Sequence, residues 1–221
     1  MNIQQNLKHI LDSIPKTVTL VAVSKTKPNS DIMEAYNTGQ RDFGENKIQD
    51  MVDKADALPK DIRWHMIGHV QRNKVKYMAE FVHLIHGVDS LKLLKEINKQ
   101  AKKYARTIDC LLQIKIAEED SKFGMTDSEA KNILQSDMFS AFENVRVVGV
   151  MGMATFTDDE NQVKTEFKRL KTIFEDLKSI CTKNCNLETI SMGMSGDYPI
   201  AIESGSNMIR VGSSIFGTRN Y

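Results

Sequence analysis

Lys25 stands where the apolar run Val18-Thr19-Leu20-Val21-Ala22-Val23 gives way to Ser24-Lys25-Thr26-Lys27-Pro28. The run reads as a buried strand, and the proline breaks the chain into a loop after it. Partial desolvation at the end of a core strand depresses the pKa of an ammonium and exposes an amine able to form a Schiff base. Strand alternation puts Lys27 on the same face as Lys25, so both are candidates. Lys25, closer to the strand and more rigidly held, is preferred.

A second group of residues lies far along the chain, in Met208-Ile209-Arg210-Val211-Gly212-Ser213-Ser214. Arg210 interrupts an apolar strand, and an inward-facing arginine must be paired or must meet a ligand. Gly212 and Ser213 form a small-residue turn, and Ser191-Met192-Gly193-Met194-Ser195-Gly196-Asp197 forms another. One Gly-Ser turn says little. Two at the ends of adjacent late strands, with Ser195 in one and Gly212 and Ser213 in the other, could bring backbone N–H groups and hydroxyls to an anion. Asp197 is a natural N-cap for a short helix over Tyr198 to Glu203. A reactive lysine, an arginine and a phosphate cradle together suggest pyridoxal 5'-phosphate. Opposite a pyridine nitrogen, Arg210 would keep that nitrogen unprotonated, because arginine does not surrender its proton.

Other candidates carry a structural reading beside the chemical one. Asn46, in Asp42-Phe43-Gly44-Glu45-Asn46-Lys47, could touch a ligand at a strand end or cap the next helix. His65, in Trp64-His65-Met66-Ile67-Gly68-His69, could line the site or sit hydrogen-bonded in the core. His69, Arg72, Asn73 and Lys74 begin the next expected helix. Lys122, on the loop Glu118-Glu119-Asp120-Ser121-Lys122-Phe123-Gly124, reads as a solvated lysine unless a ligand lies there. Cys181 and Cys185 are four apart, but no second Cys/His pair accompanies them, so no metal site is expected. No Ser-His-Asp order, Walker loop or His-Glu-x-x-His motif supports hydrolase, nucleotide or zinc-protease chemistry.

The elements that must position these residues alternate along the chain. After an opening helix from Ile3 to Leu11, strand candidates fall near 18–23, 41–44, 62–67, 82–86, 108–116, 145–151, 187–191 and 208–211. Amphipathic stretches separate most of them. The clearest places Val163, Phe167, Leu170, Phe174, Leu177 and Cys181 at helical spacing, and another places Leu91, Leu94, Ile97, Ala101 and Tyr104. Such alternation gives parallel α/β architecture, and eight strands fit a closed (β/α)8 barrel (TIM barrel) formed by one domain over 1–221. Closure makes the first and last strands neighbours, so Lys25 and Arg210 would open onto one mouth. The 221 residues, 41% hydrophobic and 27% charged, suit one soluble domain. Thirty basic residues against 29 acidic ones give +1, which favours neither nucleic acid nor an anionic membrane. The first residues lack a signal-peptide core, no run could span a bilayer, and three cysteines argue against a disulfide framework. A cytoplasmic location is expected.

Ala22-Val23-Ser24-Lys25-Thr26-Lys27-Pro28, Phe43-Gly44-Glu45-Asn46, Trp64-His65-Met66-Ile67-Gly68, Ser121-Lys122-Phe123-Gly124, Gly193-Met194-Ser195-Gly196-Asp197 and Ile209-Arg210-Val211-Gly212-Ser213-Ser214-Ile215-Phe216-Gly217 occur in that order. Together they resemble the pyridoxal phosphate homeostasis proteins, single-domain barrels related to the amino-terminal domain of alanine racemases. The resemblance implies Lys25 as the Schiff-base lysine, Arg210 beside the pyridine nitrogen, and Ser195, Gly212 and Ser213 around the phosphate. Asn46 and His65 complete the expected cofactor contacts, and Lys122 matches a lysine implicated in cofactor handling. The chain departs from the family pattern at His69, Arg72 and Asn207. The racemases take their second base from a further domain, and no counterpart of that domain is expected here. The expectation is therefore a binder that buffers pyridoxal phosphate or supplies it to apo-enzymes, a monomer or weak homodimer without catalytic residues. The alternative is a racemase or lyase acting on a small amino acid.

Overall fold

The computed structural model describes residues 2–118, 123–180 and 182–217. Its centre is a closed barrel of eight parallel strands in sequential order. They are β1 (Thr19–Val23), β2 (Asp42–Glu45), β3 (Arg63–Met66), β4 (Leu84–Val88), β5 (Ile108–Gln113), β6 (Val145–Met151), β7 (Cys185–Ser191) and β8 (Met208–Val211). Around it run α1 (Ile3–Ser13), α2 (Asn29–Asn37), α3 (Ile48–Ala57), α4 (Leu91–Lys103), α5 (Asp127–Leu134), α6 (Asp137–Ser140), α7 (Glu160–Lys178), α8 (Tyr198–Glu203) and α9 (Ser213–Phe216). The crossover from β3 to β4 is a 3₁₀ helix, Arg72–Tyr77, where an ordinary helix was expected.

Local sequence explains the longer helices. In α7, Val163, Phe167, Leu170, Phe174 and Leu177 form the buried stripe, and the Asp159 side chain caps the free N–H groups of Asn161 and Gln162. In α4 the buried Leu94, Ile97 and Ala101 oppose a lysine-rich outer face, and Ser90 caps the first turn. No helix of the described residues is long and apolar enough to cross a membrane.

The barrel has two cores. The large one lies between sheet and helices and contains Phe43, Trp64, Phe139, Phe167 and Phe216. The small one fills the interior with Val21, Leu84, Leu111, Met151 and Met208. The period-two alternation of β8 sends Met208 and Arg210 inward and Ile209 and Val211 out to the larger core. Closure joins β1 to β8, with Val21 opposite Arg210 and Ala22 opposite Val211. This pairing brings the end of β1, and Lys25 just beyond it, beside the end of β8.

Between β6 and β7 the register shifts from Val147/Cys185 to Gly149/Thr189. A Cβ on Gly149 would lie 1.9 Å from the Thr189 carbonyl oxygen, so the two strands pair here only because residue 149 has no side chain. Gly149→Ala should destabilise the barrel by about 2 kcal/mol or more, as overpacking against backbone does. Urea unfolding measures this directly, and an unchanged midpoint would mean that the strands part without cost.

Candidate functional site

At the carboxyl ends of the strands lies a cavity of about 570 Å³. Lys25, Asn46, Ser195, Arg210, Gly212 and Ser213 all line it, as do Lys27, His69 and Gln113. Six of the seven expected contacts therefore share one volume, which falls within the usual range for a small-ligand site.

Lys25 enters through a constrained loop. β1 ends at Val23, and Thr26 takes a left-handed conformation with φ of 65°, so strand alternation does not extend to Lys27. The Lys27 N–H donates to the Ser24 carbonyl, and the Lys27 ammonium donates to the Phe216 carbonyl at 2.7 Å. A left-handed threonine is strained, and such strain persists only where its surroundings enforce it. Part of that enforcement is an ion pair beneath the loop. Lys54 Nζ donates to Glu45 Oε1 at 2.7 Å and to the Ser24 carbonyl at 2.9 Å, and Ser24 Oγ donates to the same carboxylate oxygen at 2.6 Å. Glu45 is fully buried and its Oε2 has no partner. Burial pushes its carboxyl group up from the ordinary range, and Lys54 and Ser24 oppose that shift.

Arg210 is 4% exposed and is held by the strands beside it. Nη1 donates to the Ser191 carbonyl at 2.8 Å and to Ser191 Oγ at 2.6 Å, and Nη2 donates to the Gly152 carbonyl at 3.1 Å. These bonds use three of its five N–H groups. The Nε hydrogen and the second Nη2 hydrogen meet no partner among the described residues, although the side chain lines the cavity. Burial brings its pKa down to about 10, tempered by the Asp197 carboxylate, and leaves it a cation at neutral pH.

The two late turns meet at the same mouth. The Gly212 N–H donates to Ser195 Oγ at 3.2 Å, joining the loop after β7 to the loop after β8. Gly193 has φ of +97°, and a Cβ there would sit 2.6 Å from that of Ala201. Asp197 occupies the cap position of α8, where its carbonyl accepts from the Ala201 N–H, but its side chain makes no cap bond; the carboxylate accepts from the Met194 N–H and ties up the turn instead.

Residues 1–220 match the family described as alanine racemase, N-terminal domain. The chain is 38% identical over 236 residues to a pyridoxal phosphate homeostasis protein of Vibrio alginolyticus, covering 100% of this chain and 99% of that protein. It is 34% identical to the Aquifex aeolicus protein of the same name, over 100% of both chains. The chain belongs to the family of pyridoxal phosphate homeostasis proteins. PipY of Synechococcus elongatus PCC7942 with PLP bound superposes with a TM-score of 0.88, at 32% identity over 97% of this chain and 100% of that one. Alanine racemase from E. faecalis, 14% identical, superposes with a TM-score of 0.73 on 99% of this chain and 58% of its own, which shows the shared barrel alone.

Within this homeostasis-family barrel, His65, expected either to line the site or to sit hydrogen-bonded in the core, lies apart from the lining residues. It faces inward but one layer below Ile67, which lines the cavity, and it is not itself a lining residue. Its Nδ1 lies 3.0 Å from His86 Nε2 and its Nε2 lies 3.0 Å from Asp42 Oδ1, so it is a hydrogen-bonded core histidine. Asn46 is exposed at the mouth and does not cap α3, whose cap position is Lys47. His69 stacks on Phe123 with centroids 4.4 Å apart, and Asn207 bonds to Ile190 and Glu188 of β7 without reaching the rim. Lys122 and Cys181 lie outside the described residues. Sequence reasoning missed Gln113, which donates to the Phe123 carbonyl and holds the loop after β5 at the cavity edge. A polar residue ending an apolar strand was the available signal.

At the opposite end, Asp42, His65 and His83 bring ligand-type atoms within 4.8 Å of one another. Arg63 takes the Asp42 carboxylate in a two-pronged ion pair, with Nε 2.7 Å from Oδ1 and Nη2 2.5 Å from Oδ2. The geometry is therefore that of a salt-bridged barrel floor.

Both ion pairs bear on stability. Lys54→Met leaves the buried Glu45 carboxylate without its cation and should cost about 3–5 kcal/mol in urea unfolding, whereas adding Glu45→Leu should recover most of it. Equal losses in the single and double variants would contradict this. At Asp42, burial raises the pKa, but the bonds from Arg63 and His65 outweigh it and hold the carboxyl well below the usual range. A depressed folded-state pKa contributes stability above the unfolded value of about 3.9 and loses it as pH falls toward the folded value. Stability should therefore decline below about pH 4, and Asp42→Asn should flatten that acid limb. An identical acid limb in the variant would refute the assignment.

Proposed function

We propose that this chain binds pyridoxal 5'-phosphate at the barrel mouth and serves in its homeostasis, buffering the cofactor or supplying it to apo-enzymes. The observation that carries the reading is that Lys25, Arg210 and the joined Ser195–Gly212 turns line one cavity. The residues fit the group: an amine lies at one wall, two uncommitted guanidinium N–H groups lie at another, and Ser195, Gly212 and Ser213 offer hydroxyl and backbone donors for a phosphate. Bound there, the cofactor supplies an aldehyde that condenses reversibly with a lysine amine, releasing water. Lys25 is the candidate, because it lines the cavity two residues beyond the end of β1, nearer than Lys27 to the strand that pairs with that of Arg210.

A carrier role is favoured over turnover by the engagement of the other titratable lining groups. A racemase needs a second positioned base. Here Asp197 holds the Met194 N–H, Lys27 holds Phe216, and His69 is stacked on Phe123 beside Asp89. Arg210 donates hydrogen bonds and cannot accept one, so it would leave a pyridine nitrogen unprotonated and the ring a poor electron sink. We place the protein in the cytoplasm, in keeping with its sparse cysteines, and as a monomer or weak dimer.

Absorbance titration of the purified chain with pyridoxal phosphate, followed by borohydride reduction and peptide mass mapping, tests this reading. The expected result is one pyridoxyl group on Lys25, absent in Lys25→Ala, with no turnover of D- or L-amino acids. Labelling scattered over surface lysines would reject the site. Amino-acid turnover that Lys25→Ala abolishes would reject the carrier role.

A further inference from the structure

Arg210 brings a buried positive charge into the barrel, and no salt bridge reaches it among the described residues. A continuous polar file leads away from it instead. Arg210 Nη1 lies 2.6 Å from Ser191 Oγ, Ser191 Oγ lies 3.0 Å from His86 Nδ1, His86 Nε2 lies 3.0 Å from His65 Nδ1, and His65 Nε2 lies 3.0 Å from Asp42 Oδ1. His65, His86, Ser191 and Arg210 are buried on four different strands, and Asp42, on a fifth, is paired with Arg63 at the floor.

The two ends fix the direction of the bonds they make. Arginine can only donate, so Ser191 Oγ accepts from it and has its own hydrogen available for His86 Nδ1. An ionised aspartate can only accept, so His65 Nε2 carries a hydrogen. With both imidazoles neutral, His65 Nδ1 accepts, His86 Nε2 donates and His86 Nδ1 accepts, and each donor finds an acceptor. The reverse arrangement, with hydrogen on His86 Nδ1, would strand the Ser191 hydroxyl without its acceptor in the file. Burial, and after it the neighbouring His65 and Arg210, oppose a second proton on His86.

We propose that Ser191 and His86 are positioning residues for Arg210, the middle links of a one-way hydrogen-bond relay that runs through the barrel to Asp42 and holds both histidines as Nε2–H tautomers. The relay orients the guanidinium so that its remaining N–H groups stay toward the mouth. It also links the buried cation to a carboxylate through three neutral groups, and bonds in such a chain polarise one another. The role at Arg210 rests on the cofactor reading and deepens it, whereas the tautomers exist with or without that ligand.

The first test is long-range nitrogen–proton NMR on the ligand-free, histidine- and arginine-labelled full chain at pH 7.5. Both His65 and His86 should show a protonated Nε2 and a bare Nδ1. A protonated Nδ1 on His86, or an imidazolium at either position, would overturn the relay. Ser191→Ala should change the His86 nitrogen shifts and move the Arg210 Nε–H resonance. His86→Leu should also move the arginine signal, and His86→Gln, which can both donate and accept, should restore it in part. An arginine signal unmoved in folded Ser191→Ala and His86→Leu would reject the positioning role. With pyridoxal phosphate as probe, these two variants should bind about tenfold more weakly, the effect of loosening one charge-assisted hydrogen bond. If the wild type binds no pyridoxal phosphate, the cofactor reading fails while the NMR result still decides the relay.

Discussion

Closure of the sheet between β1 and β8 is the constraint on which the site depends. The register Val21 opposite Arg210 is set by backbone pairing, and it brings residues from opposite ends of the chain to one mouth. In an open sheet the first and last strands would be edges and the cavity would have one wall. Once the barrel closes, period-two alternation decides which side chains face inward, and strand depth decides whether they reach the ligand volume or the interior below it.

Polar groups make that interior expensive, and each is compensated locally. The small apolar cluster of Val21, Leu84, Leu111, Met151 and Met208 fills only part of the barrel. Ser191, His86 and His65 occupy another part with mutual hydrogen bonds, and Asp42 with Arg63 anchors them at the floor. Outside the barrel wall, the Glu45–Lys54 pair clamps the backbone immediately before Lys25. A buried ion pair adds little net stability against an apolar replacement, so its value here is positional.

Much of this was legible in the sequence because hydrophobic periodicity carries it. The eight strand candidates match the eight strands to within a few residues, and the inward placement of Arg210 follows from one charged residue in an apolar strand. The Ser195 and Gly212 turns were readable from composition alone. Depth within the barrel was not. His65 and Ile67 share a face, and only the three-dimensional stagger puts the isoleucine at the mouth and the histidine below it. His86 and Lys54 escaped notice, and Ser191 was read only as the start of a turn, because each is an ordinary residue until its partner, distant in sequence, is beside it. The left-handed Thr26 was equally hidden, since strand alternation gives no warning that β1 stops at Val23.

The proposed site requires one ligand to span the cavity from Lys25 to Arg210. A crystal structure of the chain grown with pyridoxal phosphate tests it most directly. The expected density is continuous with Lys25 Nζ, with the phosphate between the Ser195 and Gly212–Ser213 turns and the ring nitrogen facing Arg210. Density joined to Lys27, or a ring turned away from Arg210, would contradict it.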